Sequence, residues 1–260
     1  MRIALDAMGT DGAPSPEVAG ALGALAELED DLQVVLVGDR ELIERELGKH
    51  GSAVPADRLI VHHAPDRVLP SDPPASVVRR RPDSSIVRGL RLQQEGEVDA
   101  FVSGGSTGAV MAASLFTLRP LEGVDRPAIG TLLPTARSPV LMLDAGANVD
   151  TRPRQLVQFA HLGHIYAQDL MNVEAPRIGL LNIGEEPGKG NELAVEAHAA
   201  LVGERGLNFI GNIEGRDIIR GECDVVVCDG FVGNVLLKFY ESVAEFIIGL
   251  LRSALSETST

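Results

Sequence analysis

Residues 177–204, RIGLLNIGEEPGKGNELAVEAHAALVGE, set the reading of the whole chain. An apolar run from Arg177 to Leu181 has the length and composition of a buried strand, and it breaks abruptly into the turn Asn182–Asn191 with glycines at 184, 188 and 190. From about Asn191 to Glu204 the apolar residues return at helical spacing. The same strand, turn and helix unit recurs in both directions along the chain. Further strands are expected at Arg2 to Leu5, Gln33 to Val37, Arg58 to His62, Asp99 to Val102, Ala128 to Leu132, Val140 to Leu143 and Asp224 to Val227. Short β-branched runs alternating with helices predict an α/β fold, a three-layer α/β/α arrangement on a mostly parallel sheet. Most of these strands end in Gly, Asp, Asn or Ser, and open parallel sheets bind ligands outside the carboxyl ends of their strands.

Composition narrows the function. The chain has 260 residues, with 37 Asp plus Glu against 23 Lys plus Arg and a formal net charge of −14. Such an acidic protein is not a general nucleic-acid binder, because neutralising phosphates takes a face of net positive potential. A chain of this length buries roughly 70–75% of the surface its unfolded form exposes, so no disulfide framework or structural metal is needed. The two cysteines, Cys223 and Cys228, read as small buried hydrophobes. Met1 to Met8 is too short and too acidic for a secretory signal, and no apolar run reaches membrane-spanning length, which together predict a cytoplasmic protein. Residues 1–260 are expected to form a single domain. One long irregular stretch, Pro65 to Pro82, carries Pro65, Pro70, Pro73, Pro74 and Pro82. Within and just after it lie Arg79, Arg80, Arg81, Arg88 and Arg91, the main basic cluster, the last two on a helix expected to begin near Ser84.

Five junctions carry the candidate chemistry. The first is Asp6-Ala7-Met8-Gly9-Thr10-Asp11-Gly12-Ala13-Pro14, followed by Ser15 as the expected helix N-cap. The second, Ser103 to Ala109, presents Gly104, Gly105, Ser106, Thr107 and Gly108 before an apolar helix, and exposed N–H groups at such a start attract anions. The third holds Asp144 and Asn148. The fourth holds Gly188, Lys189, Gly190 and Asn191, where an ammonium and a helix end can grip one phosphate together. The fifth, Asp229 to Asn234, starts the longest helix, which bears two apolar stripes. One runs through Val232, Val235, Phe239, Val243, Phe246 and Leu250, the other through Leu237, Tyr240, Ala244, Ile248, Leu251 and Leu255. A surface helix needs one stripe, so the helix is either sandwiched inside the fold or meets another subunit with its second face, and an oligomer interface is the favoured expectation.

Several familiar motifs fail. Gly184 to Gly190 lacks the Walker spacing, no strand is followed by GxGxxG, and no GxSxG elbow occurs. The pairs His161/His164 and His62/His63 lack a third ligand and read as structural.

Seven ordered segments, DAMGTDGAP, SGGSTGA, RPAIGTLLPT, LDAGANVD, GLLNIGEEPGKGNEL, GNIEGRD and DVVVCDGFVGNVLLK, give the chain a resemblance to the bacterial phosphate acyltransferases of phospholipid synthesis, the PlsX family. Gly12 stands where that family usually has His, and Ser106 where it usually has Asn. The resemblance implies conversion of acyl-[acyl carrier protein] and orthophosphate into acyl phosphate and free carrier protein. It also implies a fold similar to isocitrate and isopropylmalate dehydrogenases and to phosphotransacetylase, no cofactor and no metal, and a homodimer feeding a membrane glycerol-3-phosphate acyltransferase. Lipid biosynthesis in the cytoplasm, with a peripheral membrane association, follows from the same likeness. The family continues past the position of Thr260 through a helical hairpin and a closing segment, so the C-terminal part of the family fold is expected to be missing from these residues.

Set against that chemistry, Lys189 and the N–H groups around Gly190 and Asn191 are expected to hold phosphate, and Gly104 to Gly108 to supply oxyanion donors. Asn148, Asp229 and Asn234 would orient the reacting groups, with Asp6, Gly9, Asp144, Gly188 and Gly233 shaping the substrate rim. An acidic carrier protein is expected on the Arg79 to Arg91 cluster. Two other readings stay open at this level: a homologue that binds carrier protein or partner subunits without turnover, and another enzyme of the same fold, acting on coenzyme A or as a metal-dependent dehydrogenase.

Overall fold

The structure, a computed structural model, describes residues 1–28, 31–51, 55, 57–69 and 71–257. Pro70, one of the prolines of the irregular stretch, lies outside the described residues. The chain divides into two compact units, Met1–Glu122 and Gly123–Thr260.

The first unit is built on four parallel strands in the order β3-β2-β1-β4, where β1 is Arg2–Asp6, β2 Gln33–Gly38, β3 Leu59–His63 and β4 Ala100–Val102. Strand β2, QVVLVG, shows why the sheet is covered on both faces. Its alternate side chains Val34 and Leu36 pack with Val18, Ala21 and Leu25 of α1 (Ser15–Glu27) and Ile43 of α2 (Arg40–Leu47). The intervening Val35 and Val37 pack on the opposite face with Ala4 and with Leu92 of α4 (Ser85–Gln94). A further layer, α3 (Val77–Arg80) and α5 (Thr107–Thr117), packs on α4 through Val77, Ile86, Leu90, Ala109 and Ala113. The Pro-rich stretch is therefore not irregular throughout, since Arg79 and Arg80 sit on α3.

Strand β1 feeds α1 and then β2 on one side, while β4 arrives on the other. The carboxyl ends of β1 and β4 thus flank a topological switch point, the place where such sheets open a crevice.

The second unit has five strands in the order β5-β6-β9-β7-β8: β5 Gly130–Leu133, β6 Val140–Leu143, β7 Arg177–Leu181, β8 Asn208–Ile213 and β9 Val225–Val227. All pairings are parallel except the edge strand β5, antiparallel to β6. The central strand β9 is three valines, each wholly buried, and burying such a side chain contributes about 1.5–3 kcal/mol. Helices α6 (Pro153–Asp169) and α7 (Glu192–Val202) cover one face through Leu156, Phe159, Ala160, Ala197 and Leu201. On the other face α8 (Gly215–Arg220) and the start of α9 (Gly230–Glu257) pack against Val140, Met142 and Val226. Each unit is thus an α/β/α sandwich. Because α7 leaves β7 on one face and α9 leaves β9 on the other, a crevice opens between the carboxyl ends of these neighbouring strands.

Cys223 and Cys228 are free and buried as expected, and burial pushes the Cys223 thiol up to about 12 and the Cys228 thiol higher still. Among the described residues, no helix is long and apolar enough to cross a membrane. The Ser15 expectation needs correcting. Pro14 occupies the N-cap of α1 without a side-chain cap, and the Ser15 hydroxyl donates instead to Glu46 Oε1 at 3.0 Å.

Candidate functional site

At the switch point of the first unit, Asp6 is wholly buried and both of its carboxylate oxygens are used. Oδ1 accepts the Met8 N–H at 3.0 Å, and Oδ2 accepts the Ser103 hydroxyl at 2.7 Å. Ser103 Oγ in turn accepts the Gly105 N–H at 3.0 Å, so one carboxylate ties the turn after β1 to the turn after β4. The two turns come so close that a Cβ on Gly9 would lie 2.7 Å from the Gly105 nitrogen, a separation only glycine tolerates. Ser106 caps α5 by accepting the Ala109 N–H at 3.4 Å, with Thr107 and Gly108 in the first turn behind it. The first and second junctions are therefore one rim, with Asp6 as its internal brace.

Two residues of this rim carry no motif signal. The Arg67 guanidinium donates to the Thr10 carbonyl at 2.8 Å, and Glu17 Oε1 accepts the Thr10 N–H at 3.0 Å. Glu17 follows the glycine turn closely in sequence, whereas Arg67 lies 57 residues from Thr10 and nothing near it in the sequence marks it. The Arg79 to Arg91 cluster is partly neutralised within the unit. Arg81 pairs with Asp72 at 3.4 Å and Arg88 with Asp83 at 2.7 Å, whereas Arg79, Arg80 and Arg91 have no ion pair among the described residues.

In the second unit the third and fifth junctions meet. Asp144, wholly buried at the end of β6, accepts five hydrogen bonds. Oδ1 takes the N–H groups of Ile129, Gly146 and Ala147 at 2.9 to 3.1 Å. Oδ2 takes the backbone N–H of Asn148 at 2.7 Å and its carboxamide at 2.8 Å. The Asn148 carboxamide also donates to the Pro127 carbonyl at 2.8 Å, so its nitrogen is fully engaged. The first turn of α9 is pressed onto this loop. A Cβ on Gly233 would fall 1.9 Å from the Asp144 carbonyl oxygen, and the Gly230 N–H donates to the Asn148 carbonyl at 2.8 Å. Asp229 caps α9 by accepting the Val232 N–H at 3.0 Å, and the exposed Asn234 side chain lies against the Gly146 position.

The fourth junction is held by its first residue, Asn182, which was not among the candidate site residues. Its carboxamide nitrogen donates to the Lys189 carbonyl at 2.9 Å, and its oxygen accepts the Ile183 N–H at 2.8 Å. Gly190 has φ +93°, and a Cβ there would lie 2.5 Å from Asn182 Oδ1, so both backbone and space demand glycine. Asn191 is the N-cap of α7, accepting the Ala194 N–H at 2.9 Å, while the earlier N–H groups of that helix start have no intrahelical carbonyl to meet. Lys189 is exposed, and its ammonium makes no ion pair among the described residues. A lysine beside a helix N-terminus offers an oxyanion both charge and backbone donors. The fourth and fifth junctions share the crevice between β7 and β9: Asn182, Gly190 and Asn191 line it from one side, Asp229, Phe231 and Val232 from the other.

The histidines play no visible part in this rim. The His161 ring lies 3.1 Å from Glu204 Oε2, and His198 packs edge-on against Phe209.

A family model described as fatty acid synthesis protein matches residues 1–260. The chain is 50% identical over 258 residues to a phosphate acyltransferase of Heliobacterium modesticaldum, covering 99% of this chain and 76% of that one. A phosphate acyltransferase of Thermosynechococcus vestitus is 50% identical over 256 residues, covering 98% and 73%. Among solved structures, a phosphotransacetylase from Streptococcus pyogenes superposes with a TM-score of 0.69 at 19% identity, covering 94% of this chain and 82% of that one. A branched-chain phosphotransacylase from Enterococcus faecalis gives 0.62 at 18%, covering 92% and 83%. These likenesses bear out the expected fold.

Proposed function

The chain belongs to the fatty acid synthesis protein family, and from that premise we propose that it is a phosphate acyltransferase, moving the acyl group of acyl-[acyl carrier protein] onto orthophosphate. A phosphate oxygen attacks the thioester carbonyl, the carbon–sulfur bond breaks, and acyl phosphate and the carrier thiolate leave. Because the conjugate thiol has a pKa near ~8.5, the leaving group needs little help from a general acid. Catalysis by position and by preorganised donors is then sufficient, and this is what glycine turns at strand ends supply.

The observation that carries the reading is Lys189, whose ammonium has no ion pair among the described residues, on the turn that Asn182 pins at the N-terminus of α7. Phosphate is assigned to Lys189 and to the backbone N–H groups around Gly190 and Asn191, with Gly188 giving the turn room. Asp144 acts as a positioning residue, since both of its oxygens accept from the loop itself, and Asn148 is oriented through its carboxamide nitrogen. Asp229 and Asn234 orient groups at the start of α9, where Gly233 permits the close approach. In the first unit, the Gly104 to Gly108 turn, braced by Asp6 and Gly9, carries N–H groups of the kind that stabilise an oxyanion.

The acidic carrier protein is assigned to Arg79, Arg80 and Arg91, which have no ion pair among the described residues, with Arg81 and Arg88 already turned toward Asp72 and Asp83. We place the protein in the cytoplasm as a homodimer that contributes to phospholipid synthesis by delivering acyl phosphate to a membrane glycerol-3-phosphate acyltransferase. The exposed apolar residues Phe246, Leu250 and Leu251 of α9 support the dimer.

Initial rates at varied phosphate test the assignment. A charge-assisted hydrogen bond is worth about 1.5–3 kcal/mol, so Lys189→Ala raises the phosphate KM about ten- to hundred-fold, and Lys189→Arg restores part of it. An unchanged phosphate KM in Lys189→Ala removes the assignment. Arg79→Glu with Arg80→Glu raises the KM for carrier protein but not for phosphate, and equal carrier-protein kinetics would remove the docking face.

A further inference from the structure

The crevice between β7 and β9 does not end at the phosphate turn. It continues as a groove of about 590 Å³, a volume within the range of about 300–1,000 Å³ typical of small-molecule sites. Its polar side chains, Asn182, Asn191 and Asp229, belong to strand ends and helix caps, and the remaining lining is almost wholly hydrocarbon. One wall is the ridge Phe231, Val235 and Phe239 of α9, three residues at i, i+4 and i+8 that extend about 12 Å along the helix. All three are more than half exposed, as is Ile183 on the rim at 82%. A contiguous exposed apolar strip beside a polar rim marks a binding surface.

We propose that this groove receives the aliphatic tail of the transferred acyl group, and that Val235 and Phe239 gauge its length. The inference rests on the phosphate reading above and deepens it. Gly190 and Asn191 belong both to the turn assigned to phosphate and to the groove lining, so a chain attached to phosphate there meets hydrocarbon directly. A two-carbon acyl group would leave most of that volume empty, whereas a longer chain removes both its own surface and the α9 ridge from water. That the polar groups are gathered at one end fits a ligand with a single anionic head and an apolar tail better than a second copy of this chain.

The test uses monoalkyl phosphates from ethyl to dodecyl, below the concentrations at which they self-associate, titrated by calorimetry into the full chain with inorganic phosphate as reference. Each added methylene tightens binding roughly four-fold until the groove is filled. Phe239→Ala moves that plateau to longer chains and Val235→Phe moves it to shorter ones, with sedimentation unchanged. Both positions are exposed, so neither substitution endangers folding. If inorganic phosphate binds but ethyl and decyl phosphates bind alike, the groove inference is overturned while the phosphate reading stands. If the variants alter self-association and leave the plateau in place, the groove is covered by a second copy and the inference is also overturned. If neither inorganic nor alkyl phosphate binds, both readings fall together.

Discussion

Replacing Asp144 by Asn keeps the shape of the side chain and removes its ability to accept on both sides. In the native loop one oxygen accepts three N–H groups and the other accepts the backbone and carboxamide N–H groups of Asn148. A carboxamide offers one oxygen and one NH₂. In its better orientation the oxygen keeps the Ile129, Gly146 and Ala147 donors, and the NH₂ is set against two further donors. Two hydrogen bonds to a buried charge are then lost, each worth about 1.5–3 kcal/mol, for a total of about 3–6 kcal/mol. Native stabilities run to about 5–15 kcal/mol, so the loss is a large share of the whole. The sequence supplies a convenient probe. There is no tryptophan, and both tyrosines, Tyr166 and Tyr240, lie in the second unit, so tyrosine fluorescence in guanidinium chloride reports the unit that holds Asp144. A loss below about 1 kcal/mol, the scale of an ordinary surface substitution, would show that the five-donor clamp does not hold the loop.

Three further outcomes follow from other parts of the structure. Ser103→Ala strips the Gly105 N–H of its acceptor and Asp6 of a donor, and should destabilise the first unit by about 1–3 kcal/mol and lower kcat, measured by circular dichroism melting and by initial rates. Neither cysteine should react with a thiol-directed disulfide reagent at pH 8 until the protein unfolds, because at a pKa of about 12 only about one Cys223 thiol in 10⁴ is ionised and Cys228 is less acidic still. Burial alone would raise the Asp224 carboxyl, but the side-chain and backbone hydrogen bonds of Arg177 override it and leave the group below the usual carboxylate range. Its contribution is therefore complete above about pH 4, where the unfolded carboxyl is ionised, and is lost as pH falls through the lower folded value. The stability gap between wild type and Asp224→Asn should accordingly be wide at pH 7 and close in acid.

The sheet was legible where burial on both faces leaves an unbroken apolar run, as in QVVLVG of β2 and VVV of β9. Strand β8, NFIGNI, escaped that reading. Two asparagines interrupt its pattern, Gly211 sits at φ +99°, and its register against β7 shifts at Ile178/Gly179, so no period of two survives. The glycine turns of the rim were visible because glycine types report backbone demands directly. What holds those turns was not visible, because the partners are distant in sequence: Ser103 lies 97 residues from Asp6, and the Ile129 N–H lies 15 residues before Asp144. The same reason separates expectation from structure at Ser15, whose hydroxyl is drawn to a carboxylate 31 residues away rather than to its own helix. Asp144 and Asn148 were marked as site residues by type and place. In the structure both Asp144 oxygens and the Asn148 carboxamide nitrogen are engaged inside the loop, by partners that the residue types alone do not announce.

The most direct measurement is acyl transfer to phosphate itself. The purified 260-residue chain is incubated with acyl-[acyl carrier protein], and acyl phosphate is trapped as the hydroxamate while orthophosphate is varied. Hydroxamate that rises with phosphate and saturates, in step with release of the carrier thiol, is the expected result. Thiol release that proceeds equally without phosphate, or no acyl phosphate at saturating phosphate, would contradict it.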